Sequence, residues 1–398
     1  MPAEYQARPL WDVIVIGGGP AGATAACATA QAGLRTLVVD SKAFPRRKVC
    51  GGCLNRVSVE LVQQWLGTEH ELWKSAVPLD RLALRYSGRG WQFPLPAGYA
   101  IDRRQLDQSL VQRAVALGAE FRDATTARLQ LGAAGLPAVT RAGIPADKPA
   151  GSDLWREIEL SGPHGRQVVR GRVVIAASGL AGRLATEDAA WQPRIARGSR
   201  VGVETLIVDH PQHYPAGAIH MLVGREGYVG LAQLADGQMH VAAAVDRGAL
   251  QRWGPRELVA RIMQQAGGPP LAVSPTSQWR GTPPLTTRAA RIADHRLFVI
   301  GDAAGYVEPF TGEGIRWALE SALGVVPLAI RAADDWNPEL IAAWHDWYGT
   351  HIARRQRLCR GITWGLKHAL TRWLAGGVLD FSPRVAQGIV DRLNTSHN

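Results

Sequence analysis

The chain's first apolar run, Asp12-Val-Ile-Val-Ile-Gly17, is short, unbroken and followed by small residues before a second run, Leu34 to Val39. Apolar runs of that length bounded by turn residues read as strands buried on both faces, and the alanine-rich segment between them reads as the crossover helix. The pattern predicts strand 12–17, helix 20–32 and strand 35–40, a right-handed βαβ unit that starts a parallel sheet. Leu106, Leu110, Val111, Ala114 and Leu117 recur at helical spacing before Gly118, so a second crossover helix is expected over 101–118. Arg172 to Gly179 reads as another buried strand. Residues 132–153, rich in Gly, Ala and Pro, read as an irregular insertion or long hairpin with expected mobility.

From about residue 200 the period changes to two. Val201 to Val208, Tyr228 to Leu234 and Met239 to Val245, with the turn signal Asp236-Gly237, predict an antiparallel sheet. Arg296 to Gly301 restores a parallel-type strand, and a long helix is expected from Gly312 to Ala333. The predicted class is therefore α/β in two lobes (α+β overall). Residues 1–75, 99–190 and 286–340 form a discontinuous Rossmann-type domain, and residues 76–98 and 191–285 form an antiparallel β-sheet substrate domain. A helical C-terminal region, 341–398, carries Trp344, Trp347, Trp364 and Trp373.

The loop joining the first strand to its helix is Gly17-Gly-Gly19-Pro20-Ala21-Gly22. Gly17 permits the tight turn, Gly19 lets the backbone approach a pyrophosphate, Gly22 lets helix and strand pack, and the helix N-terminus offers amide donors. Asp40 ends the second strand about 20 residues on, where an acid can accept from a ribose, and Ser41 opens the loop that follows. Gly301-Asp302 leads to Gly312, Gly314 and Ile315 at a second helix start. There Asp302 can accept from a polyol, and backbone amides can approach an electron-rich ring oxygen. Two ends of one cradle point to a flavin, held noncovalently. In the loop after Asp40, Arg46, Arg47 and Lys48 suit an anionic cofactor, and Cys50-Gly51-Gly52-Cys53 follows them.

Composition narrows the alternatives. The 398 residues carry a net charge of +11, 46% hydrophobic residues and fourteen tryptophans. That charge attracts anionic partners, but no zinc-finger spacing, recognition helix or basic-aromatic pattern is present, so no nucleic acid is expected. The tryptophans fit a large aromatic core and a pocket for a flat or greasy ligand about equally. Four cysteines are too few for a disulfide framework, which fits a reducing compartment. Cys50-x-x-Cys53 lacks a second pair for zinc, so no metal is expected, while a redox dithiol beside the flavin stays open. With no leader pattern and no apolar run of roughly 18 residues, a cytoplasmic protein is expected.

In these motifs the chain resembles the FAD-dependent superfamily of para-hydroxybenzoate hydroxylase-type monooxygenases, geranylgeranyl reductases and flavin-dependent halogenases, over about residues 10–335. Gly17, Gly19, Gly22 and Asp40 match its ADP fingerprint, and Gly301, Asp302, Pro309, Gly312 and Gly314 match its flavin-binding segment. Arg103 matches an arginine that the family places beside the cofactor. Phe44-Pro-Arg-Arg-Lys-Val-Cys-Gly-Gly-Cys53 is similar to the geranylgeranyl reductase-like branch, which implies that Cys50, Gly51 and Gly52 lie near the isoalloxazine ring. Ala177-Ser178-Gly179 replaces the hydroxylases' Ala-Asp-Gly. The halogenase Trp-x-Trp-x-Ile-Pro pattern is absent.

The resemblance implies redox chemistry on a hydrophobic small molecule. The expectation placed first is hydroxylation of an aromatic substrate through reduced flavin and O2, because Gly227 to Leu234 lacks the reductase branch's Tyr-x-Trp-x-Phe-Pro pattern. Reduction of a prenyl C=C bond is the alternative, and a flavoprotein that modifies a partner polypeptide is a third. With one dinucleotide fingerprint, electrons come from transiently bound NAD(P)H or a separate reductase. Tyr228, His240, Trp279 and Gly281 to Leu285 are candidate substrate contacts, and His220 and His240 are candidate acid/base groups. The basic stretch 352–374, with Leu358, Ile362, Leu366, Ala369 and Trp373 read as one face, either caps the core or touches a membrane.

Overall fold

The computed structural model describes residues 10–129, 154–163, 165–182, 191–208, 213–308, 310, 312–381 and 387–388. The irregular 132–153 segment and Pro309 therefore lie outside the described residues. Strand Leu10–Ile16 sits centrally in the first sheet, parallel to Thr36–Val39 on one side and to Gly165–Ala176 on the other. Glu120–Arg122 and Leu297–Val299 extend it outward, also in parallel. Strands covered on both faces read as continuous apolar runs, and Val13, Ile14 and Val15 are fully buried. Helices Pro20–Gln31, Arg103–Ala116 and Gly314–Asp334 pack together beside this sheet. The last continues through Pro327. Arg156–Gly162 runs antiparallel to Gly165–Ala176 and to Thr126–Leu129, a hairpin attached to the parallel sheet.

The second sheet has eight strands, including Val201–Ile207, Ala218–Val223, Gly227–Gln233, Met239–Val245, Val77–Tyr86 and Arg89–Ala100. It departs from the expected antiparallel layer at one seam, where Ala218–Val223 runs parallel to Val77–Tyr86. Alternation places a residue on a face but carries no strand direction, so the sequence could not distinguish this pairing. The sheet presents two faces. Val229, Leu231, Val241, Ala243 and Val245 pack with Leu258, Ile262 and Met263 of helix Arg247–Ala266. Tyr228, Gly230, Ala242 and Ala244 turn the other way, into a cavity between the lobes.

The C-terminal helices join both lobes. In helix Glu339–Tyr348, Trp344 is fully buried, stacks on Trp347 at 5.4 Å, and donates from Nε1 to Val299 O at 3.3 Å. Gln356 donates to Gly305 O at 3.0 Å, while Asp380 accepts from Arg89 and Trp91 of the second sheet at 2.7 and 2.9 Å. The expected amphipathic face differs: helix Arg354–Lys367 buries Gln356, Cys359 and Thr363, and Leu358 is exposed. Among the described residues no tryptophan lines the main cavity, and Trp11, Trp191, Trp317 and Trp344 are buried in the core. Among the described residues no helix is long and apolar enough to cross a membrane.

Leu258 is fully buried between helix and second sheet. Leu258→Ala is expected to lower stability by about 2–5 kcal/mol in urea unfolding. An unchanged midpoint would show that this helix does not hold the sheet.

Candidate active site

The site grows from three close approaches. Gly17 leaves the central strand at φ +110°, and a Cβ there would lie 2.3 Å from Ala177 O. A Cβ on Gly22 would fall 1.8 Å from Gly17 O, so helix and strand touch through bare backbone. At Gly19 only the Arg46 guanidinium tip comes near, at 3.4 Å. Gly17 and Gly22 are thus required by packing, whereas Gly19, Pro20 and Ala21 border the cavity. Gly19 caps the helix without a side-chain bond, which leaves the first-turn amides free for an anion.

Asp40 is tied to this turn. Its Oδ2 accepts from Gly18 N at 2.9 Å and from Arg46 Nε at 3.2 Å, and its Oδ1 accepts from Lys42 N at 3.0 Å. Arg46 also reaches Asp107 at 3.3 Å, which Arg103 grips with two nitrogens at 2.9–3.0 Å. Burial disfavours the Arg103 charge, but Asp107 and Cys50 outweigh it and hold its pKa above the ordinary arginine value. Asp40, Arg46, Asp107 and Arg103 therefore form one charged chain from the ribose end of the cradle toward the Cys50 loop.

At the other end, Gly301 turns at φ +61° and donates to Ser321 Oγ at 2.9 Å, and Asp302 borders the cavity with Lys48 Nζ 3.6 Å away. Gly312 stands at φ +74° with open space where a side chain would go. Gly314 opens its helix against the Tyr306 hydroxyl, and Ile315 is buried beside it. Lys48 also fills the space that a side chain at Gly179 would need, 2.6 Å from its Cβ position. Ser178 donates to Gly182 O at 2.9 Å.

The loop from Lys48 to Cys53 lies between these ends and the second sheet. Cys50 N donates to Glu204 Oε2 at 3.0 Å, and His240 Nε2 is 3.2 Å from the same oxygen. Gly52, at φ +65°, has no room for a side chain beneath His240 and Ile101 O, whereas Gly51 faces open space. Cys53 donates to Gly51 O at 3.3 Å, and burial pushes its thiol up to about 12. Cys50 and Cys53 are both free thiols, and no metal-binding cluster occurs among the described residues.

One cavity thus brings together Gly19, Pro20, Ala21, Lys48, Cys50, Gly51, Gly52, Arg103, Gly301, Asp302, Gly312, Gly314 and Ile315. Gly17, Gly22 and Asp40 stand behind this lining, and two further expected contacts fall outside it. Ser41 is exposed, and Arg47 is exposed over a smaller neighbouring cavity shared with Arg104, Glu204, His240 and Arg280. Tyr228, Thr282 and Leu285 line the main cavity, while Trp279 packs on the opposite face of the sheet. His220 lies 3.1 Å from Pro215 O through Nε2, and burial lowers its pKa. It lines neither cavity.

Comparison with known proteins accords with this geometry. Residues 11–144 match the family model described as an FAD binding domain. Menaquinone reductase of Mycobacterium tuberculosis is 30% identical over 384 residues, covering 88% of this chain and 84% of that protein. The chain belongs to the FAD-dependent oxidoreductases, in their geranylgeranyl reductase-like branch. Digeranylgeranylglycerophospholipid reductase 2 of Methanopyrus kandleri is 28% identical over 331 residues, covering 78% of this chain and 74% of that protein. The p-nitrophenol 4-monooxygenase of Pseudomonas putida superposes with a TM-score of 0.74 at 17% identity, covering 98% of this chain and 100% of that one, and so shares the fold.

The site of this oxidoreductase fits FAD. Free helix amides, a bare Gly19 and the open positions at Gly51 and Gly312 leave room where side chains would otherwise stand, Asp302 borders the cavity as an acceptor at one end, and Asp40 braces the glycine turn at the other through Gly18 N. Sequence reasoning missed Glu204. Its signal was an acid in the mainly apolar strand Val201–Ile207, where a buried carboxylate needs donors. Arg46 was one of three adjacent cations with nothing to single it out.

Gly22→Ala is expected to yield oxidoreductase purified without its flavin absorbance, since the added carbon meets Gly17 O. Yellow protein with normal flavin content would contradict the packing role. Because its thiol stays protonated up to about 12, Cys53 should resist alkylation at mildly alkaline pH in the folded holoprotein and react once unfolded, as read by mass spectrometry. Equal labelling in both states would contradict the raised thiol pKa.

Proposed function

We propose that this oxidoreductase reduces an isolated double bond of a prenyl chain. The observation that carries this reading is the wall of the cavity opposite the cofactor residues. Leu82, Ile219, Met221, Ala232, Leu285 and Phe310 line it, and two of its polar groups, Thr282 and Tyr228, are held in place. Thr282 Oγ accepts from Gly202 N at 2.7 Å and donates to Pro283 O at 2.7 Å. Burial first, and Glu308 with it, holds the Tyr228 hydroxyl protonated far above the ordinary phenol value. Such a wall suits a substrate with nothing to hydrogen-bond, whereas a phenolic ring calls for a polar group to orient its hydroxyl.

The named relatives add to this. Reductases of a digeranylgeranyl lipid and of menaquinone resemble the chain over most of its length, while the likeness to a monooxygenase is one of fold. Hydroxylation, the expectation placed first from the sequence, therefore gives way to its alternative. FAD, when bound and reduced, supplies the hydride for such a saturation, and a proton from a donor group or water completes the addition of two hydrogens across the bond. The electrons come from NAD(P)H bound transiently or from a separate reductase.

The chain's own residues supply position and exclusion. Glu204 and His240, from the second sheet, hold the Cys50 loop by its backbone, so Cys50 and Gly51 stand where substrate and cofactor meet. Arg103, locked by Asp107, supports the same loop from the other lobe. The aliphatic wall keeps water from the double bond.

The test is anaerobic. Protein with reduced flavin, mixed with a geranylgeranyl lipid, should reoxidise without O2. Glu204→Ala should slow that step roughly tenfold or more while flavin content holds, as expected for loss of a hydrogen bond to a carboxylate worth about 1.5–3 kcal/mol. Reoxidation only in the presence of O2 would refute the reductase reading.

A further inference from the structure

The last two helices carry a surface that the reaction does not use. Leu358, Trp364, Leu370 and Leu374 are 52%, 60%, 67% and 50% exposed, on helices that bury Gln356, Cys359 and Thr363 inward. Arg354, Arg357 and Arg360 are exposed on the same stretch. We propose that helices Arg354–Lys367 and Ala369–Phe381 seat the protein on an anionic bilayer surface. Leu358, Trp364, Leu370 and Leu374 enter the headgroup boundary, and the three arginines meet lipid phosphates.

Three observations favour this occupant. First, the exposed residues are large and apolar, and they include a tryptophan, which favours the membrane–water interface; soluble surfaces rarely gather such residues. Second, the charge is complementary. A second copy would bring one basic patch against another, in a chain already at +11, whereas an anionic surface attracts each nearby Lys or Arg. Third, the same helix backs onto the cavity wall. Leu366 joins the apolar cluster that also holds Phe310, Tyr306 and Leu285, all three of which line the cavity. Lys367 donates to Gly198 O and so fastens the helix to the loop that leads into the second sheet. Three residues before that glycine, Ile195 is 59% exposed. One helix thus separates a lipid-compatible exterior from an apolar interior.

The proposal is independent of which reaction the cavity runs. It is tested by sedimenting the FAD-loaded full chain with vesicles of phosphatidylcholine alone and of phosphatidylcholine mixed with phosphatidylglycerol. Binding should require the anionic lipid and fall with added salt. Arg357→Gln should weaken it roughly fivefold, the effect of about one interfacial cation. The double variant Leu370→Ser and Leu374→Ser, two exposed positions whose loss leaves the core intact, should weaken it roughly tenfold or more. Equal binding to neutral vesicles, or binding unchanged in both variants, would overturn the proposal. So would a dimer in light scattering that the Leu370→Ser and Leu374→Ser variant dissolves, since a second copy would then cover the patch.

Discussion

The hydrogen bond from Cys50 N to Glu204 joins the two lobes of this molecule at the point where they must cooperate. A carboxylate placed in the second sheet among Val201, Val203 and Ile207 is costly to bury, and the donors that repay it come from Cys50 and His240. The sheet thereby holds the loop that follows strand Thr36–Val39. The bond fixes the loop that stands between the cofactor cradle and the substrate wall, where a misplacement near 1 Å is enough to impair a redox site.

From that contact the rest of the arrangement can be traced outward. Gly17 and Gly22 bring helix and strand together so that Asp40 reaches Gly18, and Asp40 orients Arg46 toward Asp107. Asp107 fixes Arg103 beneath the Cys50 loop from below as Glu204 fixes it from above. The second sheet can serve as a wall because its residues alternate: Val229, Val241 and Val245 meet helix Arg247–Ala266, and Tyr228, Gly230, Ala242 and Ala244 meet the cavity. The C-terminal helices bind both lobes, through Gln356 on one side and Asp380 on the other.

What the sequence disclosed was local. The turn from Gly17 to Gly22, the spacing to Asp40 and the strand that delivers Asp302 each lie within a short window, where backbone need and residue type coincide. Glu204 was hidden because its partner is 154 residues away, and the parallel pairing of Ala218–Val223 with Val77–Tyr86 because alternation does not encode direction. The tryptophans could be counted but not placed, since only the folded chain shows Trp344 and Trp317 in the core and Trp364 outside it. The preference for hydroxylation rested on a motif absent from Gly227 to Leu234. That absence weighs less than the aliphatic wall and the named reductases.

The central claim is that the cavity delivers two hydrogens to a prenyl double bond and no oxygen. The most direct measurement is mass spectrometry of a geranylgeranyl lipid after turnover with an electron donor, run once without O2 and once under heavy-oxygen gas. The account predicts a product heavier by two hydrogens in the anaerobic run and no heavy oxygen in the other. A product that forms only with O2 and carries the label would contradict it.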